Sequence, residues 1–410
     1  MGLTALEDAQ RRVLAGCVPL HPRAVPLDDA LGCVTSVALT ADEAVPPFAN
    51  TAMDGYAVRA ADTSGAPVTL RVAGTLAAGA DPSRVHVEPG TAVRIMTGAA
   101  IPAGADAIVM VERTTASADG SAVTIADAAT TGDHVRPAGE DIAPGDEVFP
   151  ARTLLTAGHL GVLASLGYVN VPVYPRPRVG VLSTGDELVD GPVELRPGQI
   201  RDSNRHTLLA LVRLAGCEPV DLGLARDDEA VISSVIESGV ASCDALVTSG
   251  GVSVGDFDYV KAVLDRLGRM QWMQVAIKPA KPLAFGTIGA GDRDVPVFGL
   301  PGNPVSSMVS FELFARPGLR QLMGFPPDVV LRRPVRGVAG EPLRRRPDGK
   351  THFVRVVASV GDDGRYRVVS SGGQASNLLR AMALANALAV VPDGDGVETG
   401  ADVDVLLLNP

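Results

Sequence analysis

VGVLSTGDEL, residues 179–188, decides how this chain folds. Four apolar residues without alternation read as a strand buried on both faces, and a polar, glycine-bearing turn follows at once. The pattern recurs downstream. DALVTS (244–249) runs into GGVSVGDFD (250–258), WMQVAI (272–277) into KPAKP (278–282), and VPVFGL (295–300) into PGNPVSS (301–307). Helix-period segments lie between them: HTLLALVRLAG (206–216), EAVISSVIESGV (229–240) and DYVKAVLDRLG (258–268). PVDLG (219–223) adds a strand, and a helix is expected over about 304–323. Such alternation predicts a mostly parallel sheet covered by helices. The four polar loops then leave carboxyl ends of parallel strands, the edge at which open α/β sheets hold ligands.

Outward from this unit the character changes. Residues 46–135 hold short alternating stretches, VTLRVAG (68–74) and TAVRIMTG (91–98) among them, separated by Gly, Pro and Asp turns, which is a β pattern. Residues 1–45 begin with a helix from about Thr4 to Ala15, and 136–178 are mixed, with a helix candidate at 156–167 and the proline-rich VPVYPRPR at 171–178. Beyond GFPP (324–327), HFVRVVASV (352–360) and ALAVVP (387–392) are strand signals. The expected organisation is multidomain. It comprises a discontinuous N-terminal linker or dimerisation domain (1–45 with 136–178), a β-rich insert (46–135), an α/β domain (179–327) and a small C-terminal β domain (328–410).

At 410 residues the chain exceeds one ordinary core, and 46% apolar with only 4% aromatic residues implies cores built from Ala, Val and Leu. A net charge of −11 argues against a nucleic-acid or membrane-surface protein. An anionic ligand must then be held locally, by Lys or Arg, backbone N–H groups or a bridging metal. The four cysteines (Cys17, Cys33, Cys217, Cys243) are scattered, so free, mostly buried thiols in a reducing compartment are expected. The N-terminal segment lacks a signal-peptide pattern, and no run reaches the roughly 18 apolar residues of a membrane span. A soluble, cytoplasmic protein without membrane insertion is the expectation.

The loops carry the chemistry. Gly250, Gly251 and Gly255 allow a tight turn and close approach to a ligand, with Ser249 and Ser253 as donors; a plain strand-to-helix turn with Asp258 as cap reads equally well. In the STGDEL turn, Ser183, Thr184 and Gly185 stand beside Asp186 and Glu187. Carboxylates at an anion site require a hard cation such as Mg²⁺ between them and the ligand; a solvated turn is the alternative. Asp227, in ARDDEA, reads as metal ligand or as ordinary helix capping. Lys278 and Lys281, held by prolines, suit an oxyanion clamp better than the alternative, a proline-rich turn with solvated lysines. Pro301, Gly302, Asn303 and Pro304 form a rigid turn into a helix whose free N–H groups could hold an anion, or simply a helix start. Asp54 and Thr97, each beside a glycine, read from composition as hairpin turns. Neither a Walker motif nor GxGxxG occurs, and no Ser, Cys or His stands out as an activated nucleophile.

Taken in order, NTAMDGYA (50–57), RIMTGAAIPAGADAIVM (94–110), GEDI (139–142), STGDEL, GQIRDSN (198–204), GGVSVGDFD, IKPAKP and LPGNPVSS resemble the motifs of the molybdopterin molybdenumtransferase family, the group of MoeA and the gephyrin E domain. The resemblance spans about residues 4–395. It implies a homodimer of four-domain subunits whose active cleft lies between the α/β domain of one protomer and the β-rich insert of the other. It also implies molybdenum insertion: adenylylated molybdopterin, received through contact with the molybdopterin adenylyltransferase, is cleaved to AMP in the presence of molybdate and Mg²⁺ or another divalent metal. Carried over motif by motif, Asp186, Glu187 and Asp227 are metal ligands, and Asp258 orients substrate. Lys278, Lys281, Ser249, Ser253 and Ser306 hold molybdate, phosphate or pterin, and Asp54, Thr97 and Asp141 come from the second protomer. Three departures stand out: Ala280 where the family has KPGKP, Ala100 where it has GAPIP, and a loose match over 372–386. A rival reading is a scaffold of the same fold that binds a protein partner with weak or no catalysis. In that case the arginine-rich stretch at 332–346 would be a docking face, although a solvated hairpin explains it as well.

Overall fold

The computed structural model describes residues 2–251 and 259–408. Its centre is a six-stranded sheet built from β1 (Arg178–Thr184), β2 (Glu218–Ala225), β3 (Ala245–Ser249), β4 (Gly268–Gln274), β5 (Pro282–Ala290) and β6 (Arg293–Leu300), in the order β2-β1-β3-β6-β5-β4. The first four strands of that order are mutually parallel. Side chains alternate between two apolar layers, as the period of a strand requires. Val179, Val181, Ala245 and Val247 face one layer, with helices α1 (Leu6–Ala15), α2 (Asn204–Leu214) and the run 304–322. Leu182 and Leu246 face the other, with α3 (Glu229–Ser242) and α4 (Tyr259–Leu267). Both faces are dry, which explains why these strands read as continuous apolar runs. The N-terminal helix packs on this α/β layer, where Ala9 and Val13 are fully buried.

One expectation needs correction. The strand before KPAKP does not pair in parallel: β4 and β5 are antiparallel, as are β5 and β6. The connections explain this, since residues 275–281 and 291–292 are too short for the dozen or more residues of a parallel crossover. Two reversals restore the original direction, so β4 ends at the same rim as β1, β3 and β6. The loop is where the sequence predicts it; the pairing is not.

Residues 55–125 form a separate six-stranded sheet around Val58, Leu70, Ala92 and Val123. Arg23–Pro26 and Val34–Thr35 pair with Asn170–Tyr174, so chain from before and after that sheet meets in one small layer. In the C-terminal region, Thr351–Val360, Tyr366–Ser370, Val335–Ala339, Asp402–Leu407 and Ala387–Val391 close into a five-stranded barrel. The cysteines are free and buried, and burial pushes the Cys217 thiol up to about 12. Among the described residues, no helix is long and apolar enough to cross a membrane.

Candidate active site

Because β1, β2, β3, β4 and β6 all end at one rim, the spatial order of their loops follows the strand order. Asp227 leaves β2, STGDEL leaves β1, Ser249-Gly250-Gly251 ends β3, Pro301-Gly302-Asn303 leaves β6, and Lys278-Lys281 follows β4. At a strand spacing of about 4.8 Å, β1 and β4 lie four spacings, or about 19 Å, apart. The rim is acidic at one end and basic at the other.

At the acidic end, the Asp227 backbone N–H donates to Asp186 Oδ1 at 3.2 Å, which brings the β1 and β2 loops together. Asp186 and Glu187 are exposed, and Asp227 is half-buried. Gly185, at φ +147°, takes a backbone conformation that other residues adopt only with strain, and a Cβ there would displace the exposed Glu187 carboxylate, 2.5 Å away at Oε2. Beneath them Ser183, fully buried, donates to the buried Asp202 at 3.2 Å. Asp202 in turn pairs with Arg205, which also engages Asp190 and Asp221. This network holds GQIRDSN under the rim.

The middle of the rim is close-packed. Gly250, at φ +99°, abuts Thr184, whose carbonyl oxygen would be 2.9 Å from a Cβ, and a Cβ on Gly302 would lie 3.7 Å from the Gly250 Cα. Asn204 joins the loops: its Nδ2 donates to Ser249 Oγ (2.8 Å) and to the Gly302 carbonyl (2.6 Å). Asn204 closes the GQIRDSN motif, and the one local sign of its role is its place at the start of an amphipathic helix directly after a turn. Ser253 and Asp258 lie outside the described residues.

At the basic end, Ile277–Lys278 pairs in parallel with Thr351–His352 of the C-terminal barrel, so the lysine loop is fixed to a second domain. Between them opens a cleft of about 1170 Å³. Lys278, Lys281, Pro301, Asn303 and the buried Ser306 line it from the α/β side. Arg344, Arg346, Lys350, His352 and Gln374 line it from the barrel side. Ser376, also in the wall, accepts the Val305 N–H on its carbonyl at 3.1 Å, closing the two walls. Among the described residues, Asp348 is the one carboxylate in the lining. Burial pushes its carboxyl up, but hydrogen bonds from Lys350 and His352 outweigh this and hold it at about 2. A strongly cationic cleft in a chain of net charge −11 is a local arrangement.

The arginine-rich run divides by exposure. Arg344 and Arg346 are exposed in the cleft, whereas the Arg345 side chain, 2% exposed, turns inward. It donates to the carbonyls of Lys350, Val391 and Pro392 and to Asp348 and Asp393. The run is therefore neither a free hairpin nor a uniform docking face. Ala280 sits between the two lysines at φ +74° and 3% exposure, a left-handed conformation that glycine adopts without strain.

Asp54, Thr97 and Asp141 do not line this cleft. They are exposed, with Asp54 and Thr97 in the insert sheet's loops. The Thr97 hydroxyl and backbone N–H both donate to Asp54 Oδ1 at 2.7 Å and hold its carboxyl below the usual range. The pair is a pre-ordered, ionised acid on an exposed loop.

Comparison with known proteins covers the chain. Residues 4–167 match a profile described as the MoeA N-terminal region (domain I and II), 180–321 a probable molybdopterin binding domain, and 336–408 the MoeA C-terminal region (domain IV). Molybdopterin molybdenumtransferase 2 of Mycobacterium tuberculosis is 41% identical, over 97% of this chain and 98% of its own length. The molybdopterin molybdenumtransferase of Haemophilus influenzae is 39% identical over 88% and 87%. The crystal structure of the molybdopterin biosynthesis moeA protein of Pyrococcus horikoshii superposes with a TM-score of 0.79 at 28% identity, covering 99% of this chain and 100% of that one.

Proposed function

The chain belongs to the molybdopterin molybdenumtransferase family, and we infer from this and from the rim that it inserts molybdenum into molybdopterin. The substrates are molybdate and adenylylated molybdopterin, and AMP is the second product. The observation that carries the reading is the cationic cleft between the lysine loop and the barrel. It concentrates positive charge where an acidic protein must hold two anionic substrates.

The rim's polarity suits an elongated, pyrophosphate-linked ligand. Lys278, Lys281, Arg344 and Arg346 hold oxyanions at the basic end, where their positive charges converge on one cleft. Asn204, Ser249 and the Pro301-Gly302-Asn303 turn position the middle of the ligand. The α5 helix (Pro304–Ser310) begins there with Ser306 in the wall. Asp186, with Asp227 and Glu187 beside it, would hold a divalent cation such as Mg²⁺. Among the described residues no cluster of three His, Cys, Asp or Glu forms a protein-only site. One or two carboxylates with substrate oxygens completing the shell is the ordinary arrangement for Mg²⁺, so the residues fit a cation that arrives with substrate. When bound it neutralises charge building on the cleaved phosphoanhydride.

Asp54, Thr97 and Asp141 act on the cleft of a second copy, so the working unit is a homodimer. Their exposure and the pre-ordered Asp54–Thr97 pair support this, since neither faces the cleft of its own chain. We divide the chain functionally as 1–45 with 136–178, 46–135, 179–327 and 328–410. The cytoplasm is the site of action, and the adenylyltransferase the donor of substrate. The test is direct: purified protein is given adenylylated molybdopterin, molybdate and Mg²⁺, and both AMP release and protein-dependent molybdenum incorporation are measured. Both are expected. A folded protein that does neither overturns the reading.

A further inference from the structure

A second cavity, of about 810 Å³, lies away from the rim on the helical layer that carries α1. It opens between the carboxyl end of α2, the helical run 304–322 with the turn after it, and the short helix α6 (Leu379–Leu384). Its wall is largely apolar, with Leu211, Met308, Met323 and Met382 prominent. Among the described residues, this wall holds three arginines, Arg316, Arg320 and Arg332, and a single carboxylate, Glu312.

The charges do not balance. Glu312 Oε1 accepts from Arg316 Nε at 2.6 Å and from Arg332 Nε, so one carboxylate serves two guanidinium groups. Arg332 is further satisfied by the Leu408 carbonyl at 2.8 Å. Arg316 is only 5% exposed, yet its Nη2 has no hydrogen-bond partner among the described residues. Arg320 stacks on Phe325 with its guanidinium carbon 4.1 Å from the ring centroid, and no ion pair for it exists among the described residues. Burial first, then the neighbouring Arg316 and Arg332, push Arg320 down to about 10. The helix is also irregular here, since Phe311–Ala315 is a π-turn that carries Phe311 and Glu312 on the cavity wall. Such single turns recur at functional sites. Buried donors without acceptors are uncommon in folded proteins and call for a missing partner.

We propose that this cavity is a second ligand site, distinct from the rim, which takes a small amphipathic oxyanion: a carboxylate or phosphate carried on an apolar body. The anion would satisfy Arg316 Nη2 and Arg320, and the body would lie along the Leu and Met wall. The size is that of an ordinary small-molecule pocket, mostly apolar with a few convergent polar groups.

The experiment is titration calorimetry on the full chain with octanoate and with octyl phosphate, which separate the two oxyanions. Octanol and inorganic phosphate serve as half-ligands, and light scattering reports the oligomeric state. Expected is saturable binding of one or both amphiphiles, one per chain, with neither half-ligand competing. Arg320→Met, which keeps the stem against Phe325, should weaken that binding by about tenfold or more. Ala383→Trp, at the exposed mouth, should abolish it with the melting temperature unchanged. Lys278→Ala should leave it intact, because the rim takes no part. The proposal is overturned if neither amphiphile binds. It is equally overturned if binding survives both Arg320→Met and Ala383→Trp, or if Ala383→Trp splits a dimer that excludes both probes, which would mean that a second copy covers the cavity.

Discussion

Replacing Arg345 by Met separates structure from catalysis within three consecutive arginines. Methionine keeps the apolar stem and removes the guanidinium, so the loss is polar. Three carbonyls lose a donor, at 2.6 Å from Lys350, 3.2 Å from Val391 and 2.9 Å from Pro392. At about 1 kcal/mol each, they account for about 3 kcal/mol. The two ion pairs add less than their 2.7 Å lengths suggest, because Asp348 and Asp393 are 28% and 46% exposed and solvent screens them. The screened pair with Asp348 adds about 1 kcal/mol, and the solvent-exposed Asp393 is left out of the sum. Against this, Arg345 Nε is buried without a partner in the native fold, and its removal returns about 1 kcal/mol. The net loss is about 3 kcal/mol, confined to the barrel. Hydrogen exchange by mass spectrometry reads it locally, where a global unfolding curve of a multidomain chain would not. Peptides covering Thr351–Val360 and Ala387–Val391 should exchange on the order of 100-fold faster, and those of β1 and β3 at the parent rate. Arg344→Met and Arg346→Met, both exposed, should change barrel protection by less than about 0.5 kcal/mol while slowing molybdenum insertion. Equal barrel protection in all three variants would refute the division of roles.

Ala280→Gly should leave stability within about 1 kcal/mol and activity within about twofold. Relief of a left-handed alanine (about 1–2 kcal/mol) is offset by unfolded-chain entropy (about 0.4–1 kcal/mol) and by loss of a buried methyl (about 0.8 kcal/mol). A large gain in turnover would mean that the alanine distorts the lysine loop. Asp348, held at about 2 against an ordinary 3.8, stabilises the fold at pH above its unfolded pKa, and that contribution fades as pH falls through the folded one. Asp348→Asn should therefore lower stability near neutrality, and the gap to the parent should narrow steadily below about pH 4 in acid-unfolding curves.

The α/β unit was readable because burial on both faces makes VGVL, DALVT and VPVFGL apolar runs, and because glycines and prolines mark each loop after them. The antiparallel hairpins were not read, although seven- and two-residue connections forbid a parallel crossover; loop length held that information and apolar pattern did not. The lysines were found from their prolines. Arg344, Arg346, Lys350 and His352 were not, since nothing local shows that Ile277–Lys278 pairs with Thr351–His352 across some 70 residues of chain. Asn204 likewise gains meaning only from Ser249 and Gly302, which tertiary structure brings to it. Ala280 shows the converse: its left-handed backbone is a fact of the fold, and the sequence could mark only that a family glycine is absent.

Molybdate binding by equilibrium dialysis, in the parent and in the Lys278→Ala/Lys281→Ala double variant, tests the central claim most directly. A cleft that holds oxyanions through those ammonium groups predicts saturable binding in the parent and a loss of about tenfold or more in the variant, with hydrogen exchange of the barrel and central sheet unchanged. Molybdate bound equally well by both proteins would contradict it.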